Sequence, residues 1–208
     1  MLCYLSSQQF GNEITILQNW IQTHDNKILL IFNALDAKGE EKILFNTKED
    51  KKLLEKIGFD VTVMNLRDYF GKPKKLENEF LNYPAYCVMG GNVFVLRQAM
   101  KYSGFDTFLK QISSNPNYLY IGYSAGSCVL SNDLKELAIV DEPLSFYEGT
   151  EVFYDGIGLI PYLFIPHYQS CYHKSYLIDQ VVETCKKKNI KFQAVKDGEV
   201  IVEELKSS

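Results

Sequence analysis

A serine set between two glycines at the end of an apolar run is equipped to attack a carbonyl carbon. In this chain an apolar stretch from Tyr118 runs into Gly122-Tyr123-Ser124-Ala125-Gly126, and an apolar helix start follows through Leu130. Strand, sharp turn and helix in that order are the setting that a GxSxG nucleophile turn requires. A side chain at either glycine would crowd a turn that holds the serine in a strained backbone conformation. Such a turn sets Ser124 Oγ at the carboxyl edge of a sheet, where the N–H of Ala125 can donate to an oxyanion. A strand–helix junction whose serine only caps the helix would show the same five residues, so other parts of the chain must decide.

A second turn, Met89-Gly90-Gly91-Asn92, also lies between an apolar strand and a helix. An oxyanion hole takes one N–H from the residue after the nucleophile and another from a separate loop, and Gly91 suits the second role. Asn92 can cap the helix or touch substrate. Neither GxGxxG nor GxxxxGK[ST] occurs, which argues against a phosphate loop.

A serine hydroxyl needs a base, and the chain has three histidines. His24 ends an amphipathic stretch and reads as a surface residue. His173 lies near the start of a helix and could line the site. His167 follows Leu163-Phe164-Ile165-Pro166, an apolar run ending at a sheet edge, and is the best-placed base. A third group should orient the imidazole. Asp197 comes first, with Glu199, Glu136, a water or a backbone carbonyl left open.

These residues need a frame. Leu2–Leu5, Lys27–Phe32, Val61–Leu66, Ala85–Met89 and Tyr118–Tyr123 are short, nearly continuous apolar runs bounded by turn formers, so they are predicted strands buried on both faces. Helical spacing recurs between them: Ile14, Leu17 and Ile21; a helix capped by Thr47, carrying Leu53, Leu54 and Ile57 and ended by Gly58; Asn92–Tyr102; Phe105–Ser113; and later Ser170–Lys188. The alternation predicts an α/β fold, a three-layer sandwich with a mostly parallel sheet and helices on both faces. Leu137–Pro166, rich in proline and glycine, breaks the rhythm, and Ala194–Val195 with Val200–Val202 around Asp197-Gly198 suggests a late hairpin. Residues 1–208 show no repeat or linker and read as a single domain.

The composition is that of an ordinary globular protein, 46% hydrophobic and 23% charged, with a formal net charge of −4. Its basic residues are scattered, and Lys186-Lys187-Lys188 falls at a helix end, where cations complement the dipole. A nucleic-acid surface is therefore not expected. The five cysteines are odd in number and without CxxC spacing, which points to free thiols rather than disulfides or zinc. With no signal-like start and no run of the roughly 18–20 apolar residues that span a bilayer, a cytoplasmic protein without membrane contact is expected. A two-fold homodimer, the commonest assembly, is the expected oligomer.

Together, Gly90-Gly91-Asn92, Gly122-Tyr123-Ser124-Ala125-Gly126-Ser127 and Pro166-His167-Tyr168 resemble the motifs of the peptidase E family of aspartyl dipeptidases and cyanophycinase-like serine peptidases, in the same order from about Leu2 to Val202. The resemblance implies a fold like that of the class I glutamine amidotransferases, with Ser124 as nucleophile, His167 as general base, and the amides of Gly91 and Ala125 as oxyanion hole. It implies no metal or cofactor and a short peptide as substrate. Two departures stand out. The family's third member is a glutamate, where this chain has the shorter Asp197, so a Ser-His dyad stays open beside a triad. The family's substrate-binding arginine, which holds an N-terminal aspartate, has no match in Cys171–Ile178, where His173 and Lys174 are the candidate substrate-binding side chains in addition to Asn92. Strict preference for an N-terminal aspartate is not expected. A serine peptidase acting on short peptides is the reading; the alternatives are an esterase or amidase on another acyl group, and a non-catalytic binding protein on the same fold.

Overall fold

The computed structural model describes residues 1–205. Six strands form the main sheet: β1 (Leu2–Ser6), β2 (Lys27–Ile31), β3 (Asp60–Met64), β4 (Ala85–Val88), β5 (Leu119–Tyr123) and β8 (Val200–Glu204), in the order β3-β2-β4-β5-β1-β8. All neighbours run parallel except β8, which pairs antiparallel with β1. Parallel strands need both faces covered, and the sequence supplies the covering.

Side chains alternate across the sheet. Ile28 and Leu30 point into one core with Leu17, Trp20 and Leu54 from α1 (Ile14–Ile21) and α2 (Glu40–Ile57). Leu29 and Ile31 point into the other, larger core. That core is closed by α3 (Pro73–Phe80), α4 (Val93–Ser103), α5 (Phe105–Ile112), the short α6 (Ala125–Cys128) and α7 (Ser175–Lys188). The result is the three-layer α/β arrangement. Among the described residues no helix is long and apolar enough to cross a membrane.

Three local readings need correction. Thr47 does not cap α2: the helix begins at Glu40 after Gly39, with Glu40 and Glu41 in its first turn. Acidic residues there complement the helix dipole as well as a hydroxyl cap would, and Thr47 is buried in mid-helix. The α7 helix starts at Ser175 rather than Ser170; just before Ser170 the backbone turns through a positive φ of 50° at Gln169, which is not helical. The late hairpin does not form either. A short strand β7 (Phe192–Ala194) runs parallel to β6 (Leu163–Ile165) in a separate two-stranded sheet, while β8 returns to the main sheet. Each run found a longer-range partner, and the turn between them is left free to enter the site. Pro73 at the first position of α3 starts a helix that the apolar pattern did not signal.

The irregular stretch between α6 and β6 is tied down by Arg97 of α4. Its guanidinium is buried, reaching Asp106 Oδ2 at 3.0 Å, Asp155 Oδ2 at 2.8 Å and the Asp155 carbonyl at 2.8 Å.

Candidate active site

The carboxyl ends of β1, β4 and β5 lie side by side, and the loops that leave them carry Ser7, Gly91 and Ser124. In open α/β sheets this is the edge where ligands bind. The turn after β5 is strained: Ser124 sits at φ 49° and ψ −117°, a region costly for a residue with a side chain. Tertiary contacts hold it there. The Ser124 N–H donates to the Ser6 carbonyl at 3.1 Å, the Tyr120 hydroxyl donates to the Gly126 carbonyl at 2.6 Å, and the Ser127 hydroxyl donates to Gly122 and Ser6 carbonyls. A Cβ on Gly122 would come within 2.6 Å of the Gly126 carbonyl oxygen, and one on Gly126 within 2.1 Å of the Val88 carbonyl oxygen. The turn therefore closes only without those side chains.

His167 comes to this serine from the end of β6. Its Nε2 stands 3.2 Å from Ser124 Oγ, and its Nδ1 stands 2.7 Å from Asp197 Oδ1. With the proton on Nδ1 donated to the carboxylate, Nε2 faces Oγ as an acceptor, which is the tautomer a general base needs. The imidazole is largely buried and stacks on the Tyr172 ring at 4.4 Å between centroids. His167 also has a positive φ of 61°.

Asp197 reaches the imidazole despite its short side chain, so the reach argument for a dyad does not hold. Its loop has been drawn inward: the Asp197 N–H donates to Ser170 Oγ at 2.8 Å, and the Asn12 N–H donates to the Gly198 carbonyl at 2.8 Å. The other carboxylates considered for this place are occupied elsewhere. Glu136 pairs with Lys188 at 2.8 Å, and Glu199 accepts the Lys196 N–H.

Sequence reasoning missed Ser7. This buried hydroxyl donates to Asp197 Oδ1 at 2.7 Å and accepts the His167 backbone N–H at 2.7 Å. It ties the first strand to both partners of the imidazole contact. A serine just beyond an apolar strand gives no such signal, because its partners lie 160 and 190 positions away. Tyr172 and Asp141, which also line the cavity, were not singled out either.

Gly91 and Ala125 line one small cavity with Ser124 and His167, of about 30 Å³. Among the described residues no protein acceptor takes either backbone N–H, which leaves both free for an oxyanion. Gly91 has φ 153°, and a Cβ there would lie 2.2 Å from the Ala34 carbonyl oxygen, so glycine lets the loop after β4 press against the turn after β2.

The substrate-binding expectations fare differently. The Asn92 side chain accepts the N–H groups of Phe94 and Val95 and donates to the Glu142 carbonyl. Its oxygen caps α4, and Asn92 does not line the cavity that holds Ser124. His173 is exposed and does not line the cavity. Lys174 also lies outside the lining, its ammonium donating to the Val140 carbonyl at 2.8 Å. Roomier grooves of about 480 and 510 Å³ lie beside Gln8–Asn12 and beside Trp20, but neither Ser124 nor His167 lines them. Among the described residues no three His, Cys, Asp or Glu side chains stand close enough to hold a metal ion.

The turn is braced from the other face of the sheet. The Tyr123 hydroxyl donates to the buried Asp50 of α2 at 2.5 Å. Burial raises the Asp50 carboxyl to about 6, the Tyr123 hydrogen bond offsetting part of the rise and Glu49 adding to it.

Comparison with known proteins places this geometry in a family. The model of peptidase family S51 matches residues 5–206. No curated protein sequence matches the chain. Among solved structures, a candidate peptidase E protein from Listeria monocytogenes EGD-e is similar with a TM-score of 0.76 at 21% identity, over 98% of each chain. A peptidase from an acI-B1 actinobacterium is similar with a TM-score of 0.71 at 14% identity, over 98% of this chain and 83% of that one. At such identities the two structures speak for the fold, which is the one seen here.

Proposed function

Given that the chain belongs to peptidase family S51 and is a serine-type peptidase, we propose that it hydrolyses short peptides through an acyl-enzyme on Ser124. His167 takes the Ser124 proton as Oγ attacks the peptide carbonyl, and the free amides of Gly91 and Ala125 receive the oxyanion. His167 then gives the proton to the leaving amine. Water, activated by the same imidazole, releases the acyl group. Asp197 holds the ring in the working tautomer and stabilises the imidazolium.

The observation that carries this reading is the run of contacts from Asp197 through His167 to Ser124, at 2.7 and 3.2 Å, on a backbone strained to present the serine. Leu137 and Val140 of the irregular segment wall the cavity beside Ser124, which narrows access to the serine. The absence of an arginine between His167 and Ile178 speaks against strict preference for an N-terminal aspartate.

Intact protein treated with a fluorophosphonate should gain one adduct, on Ser124, and Ser124→Ala should gain none and lose about 10³–10⁶-fold in kcat on a hydrolysed dipeptide. Full activity of Ser124→Ala would remove Ser124 as nucleophile.

A further inference from the structure

Asp141 puts a carboxylate into the wall of the cavity that Ser124 and His167 share, and the acyl-transfer steps above do not use it. Its Oδ2 accepts the Val93 N–H at 2.8 Å, in the first turn of α4. Among the described residues no protein donor reaches Oδ1. The Lys174 ammonium donates to the Val140 carbonyl at 2.8 Å and forms no ion pair with Asp141. Burial holds the Asp141 carboxyl above the ordinary carboxylate range, with the Val93 N–H and the charges of Lys174, Lys38 and His167 offsetting only part of the cost. The site therefore contains half of an ion pair.

The charge matters to the reaction. An oxyanion forming at Gly91 and Ala125 would share one small cavity with the Asp141 carboxylate, and like charges in one cavity repel. A cation carried by the substrate would cancel that repulsion and occupy Oδ1. In a peptide the cation nearest a scissile carbonyl is the α-ammonium of an N-terminal residue, one carbon away.

We propose that Asp141 binds the α-ammonium of the substrate, so that the enzyme releases a single N-terminal residue and prefers a small uncharged one. The rest of the lining agrees: Cys128, Leu137, Val140 and Ile178 offer no group for a charged side chain. An N-terminal aspartate would bring a second carboxylate against Asp141. The proposal rests on Ser124 being the nucleophile of a peptidase.

The test compares alanyl-leucine with N-acetyl-alanyl-leucine and aspartyl-leucine, in the native enzyme and in Asp141→Asn. The asparagine oxygen can still accept the Val93 N–H, so the loop keeps its anchor while the charge is lost. The native enzyme should favour alanyl-leucine over both other peptides by about 30-fold or more in kcat/KM, as for loss of a charged hydrogen bond. In Asp141→Asn the preference over the acetylated peptide should fall below about threefold, while fluorophosphonate still labels Ser124. Equal native rates on free and acetylated peptides would overturn the proposal, as would faster cleavage of aspartyl-leucine or an unchanged preference in Asp141→Asn. Equal native rates overturn the proposal whether or not the variant folds. Failure to label native Ser124 would instead strike the peptidase reading beneath it.

Discussion

The Ser7 hydroxyl donates to Asp197 Oδ1 at 2.7 Å, the same oxygen that meets His167 Nδ1. One carboxylate oxygen thus receives two hydrogen bonds, and Ser7 also accepts the His167 N–H. An acid shorter than glutamate is held in reach by a residue on the opposite end of the chain.

Ser7→Ala should therefore act on the chemical step. A hydrogen bond to a charged group is worth about 1.5–3 kcal/mol, so kcat should fall about 10–100-fold while KM stays within about threefold. A merely structural role would lower the thermal midpoint and the titratable active fraction without changing kcat per active site, and that pattern would sink the idea. Asp197→Asn should cost more, about 10²–10⁴-fold in kcat, because the amide favours the wrong imidazole tautomer. A loss under tenfold would restore the dyad.

The glycines of the turns make a sharper structural claim. Gly126→Ala and Gly91→Ala would place Cβ atoms 2.1 and 2.2 Å from backbone carbonyl oxygens. Neither oxygen can swing away as a side-chain end could, so each variant should lose about 3 kcal/mol or more in urea denaturation. Gly149→Ala, at φ 70° with open space around it, should cost only about 1–2 kcal/mol, the strain of the left-handed region alone.

Asp50 gives a pH signature. Its folded carboxyl titrates at about 6 against an ordinary 3.8, so between those values the folded state holds more protons than the unfolded one. Stability then falls as pH rises through that window and stays lower above it. Asp50→Asn keeps an acceptor for the Tyr123 hydroxyl without the charge. It should be more stable than the native protein at pH 8 by on the order of 1–3 kcal/mol, with the gap closing towards pH 4. Urea midpoints at the two pH values measure this; a gap that widened on acidification would contradict it.

Arg97 is a stability residue. Arg97→Met would strand the buried Asp106 carboxylate, a loss of about 3–5 kcal/mol, and adding Asp106→Asn should recover a large part of it. A double-mutant cycle by urea denaturation reads the coupling, and simple additivity would show that the pair does not act as a unit.

Much of this was legible beforehand because it is local. Strands buried on both faces write themselves as continuous apolar runs, and Ile28–Ile31 divides between two cores as such a run must. Gly122-Tyr123-Ser124-Ala125-Gly126 carries its own geometric requirement, and Asn92 its capping chemistry. What the pattern did not tell is where the Asn92 side chain lies: it caps α4 outside the cavity lining. The expected hairpin failed because pattern alone does not say which strand a short run will join.

What the sequence determined by itself is the layered α/β frame and the serine turn, since both follow from side-chain alternation and from contacts between near neighbours. Only the tertiary structure decided what stands around that serine. Ser7, Asp141, His167 and Asp197 come from four separate loops. They meet because β1 and β5 are adjacent in the sheet, β8 returns beside β1, and β6 ends over the turn. Strand order is set by how whole faces bury, a global property that no short stretch of residues records, and the unpaired oxygen of Asp141 exists only once that order is in place.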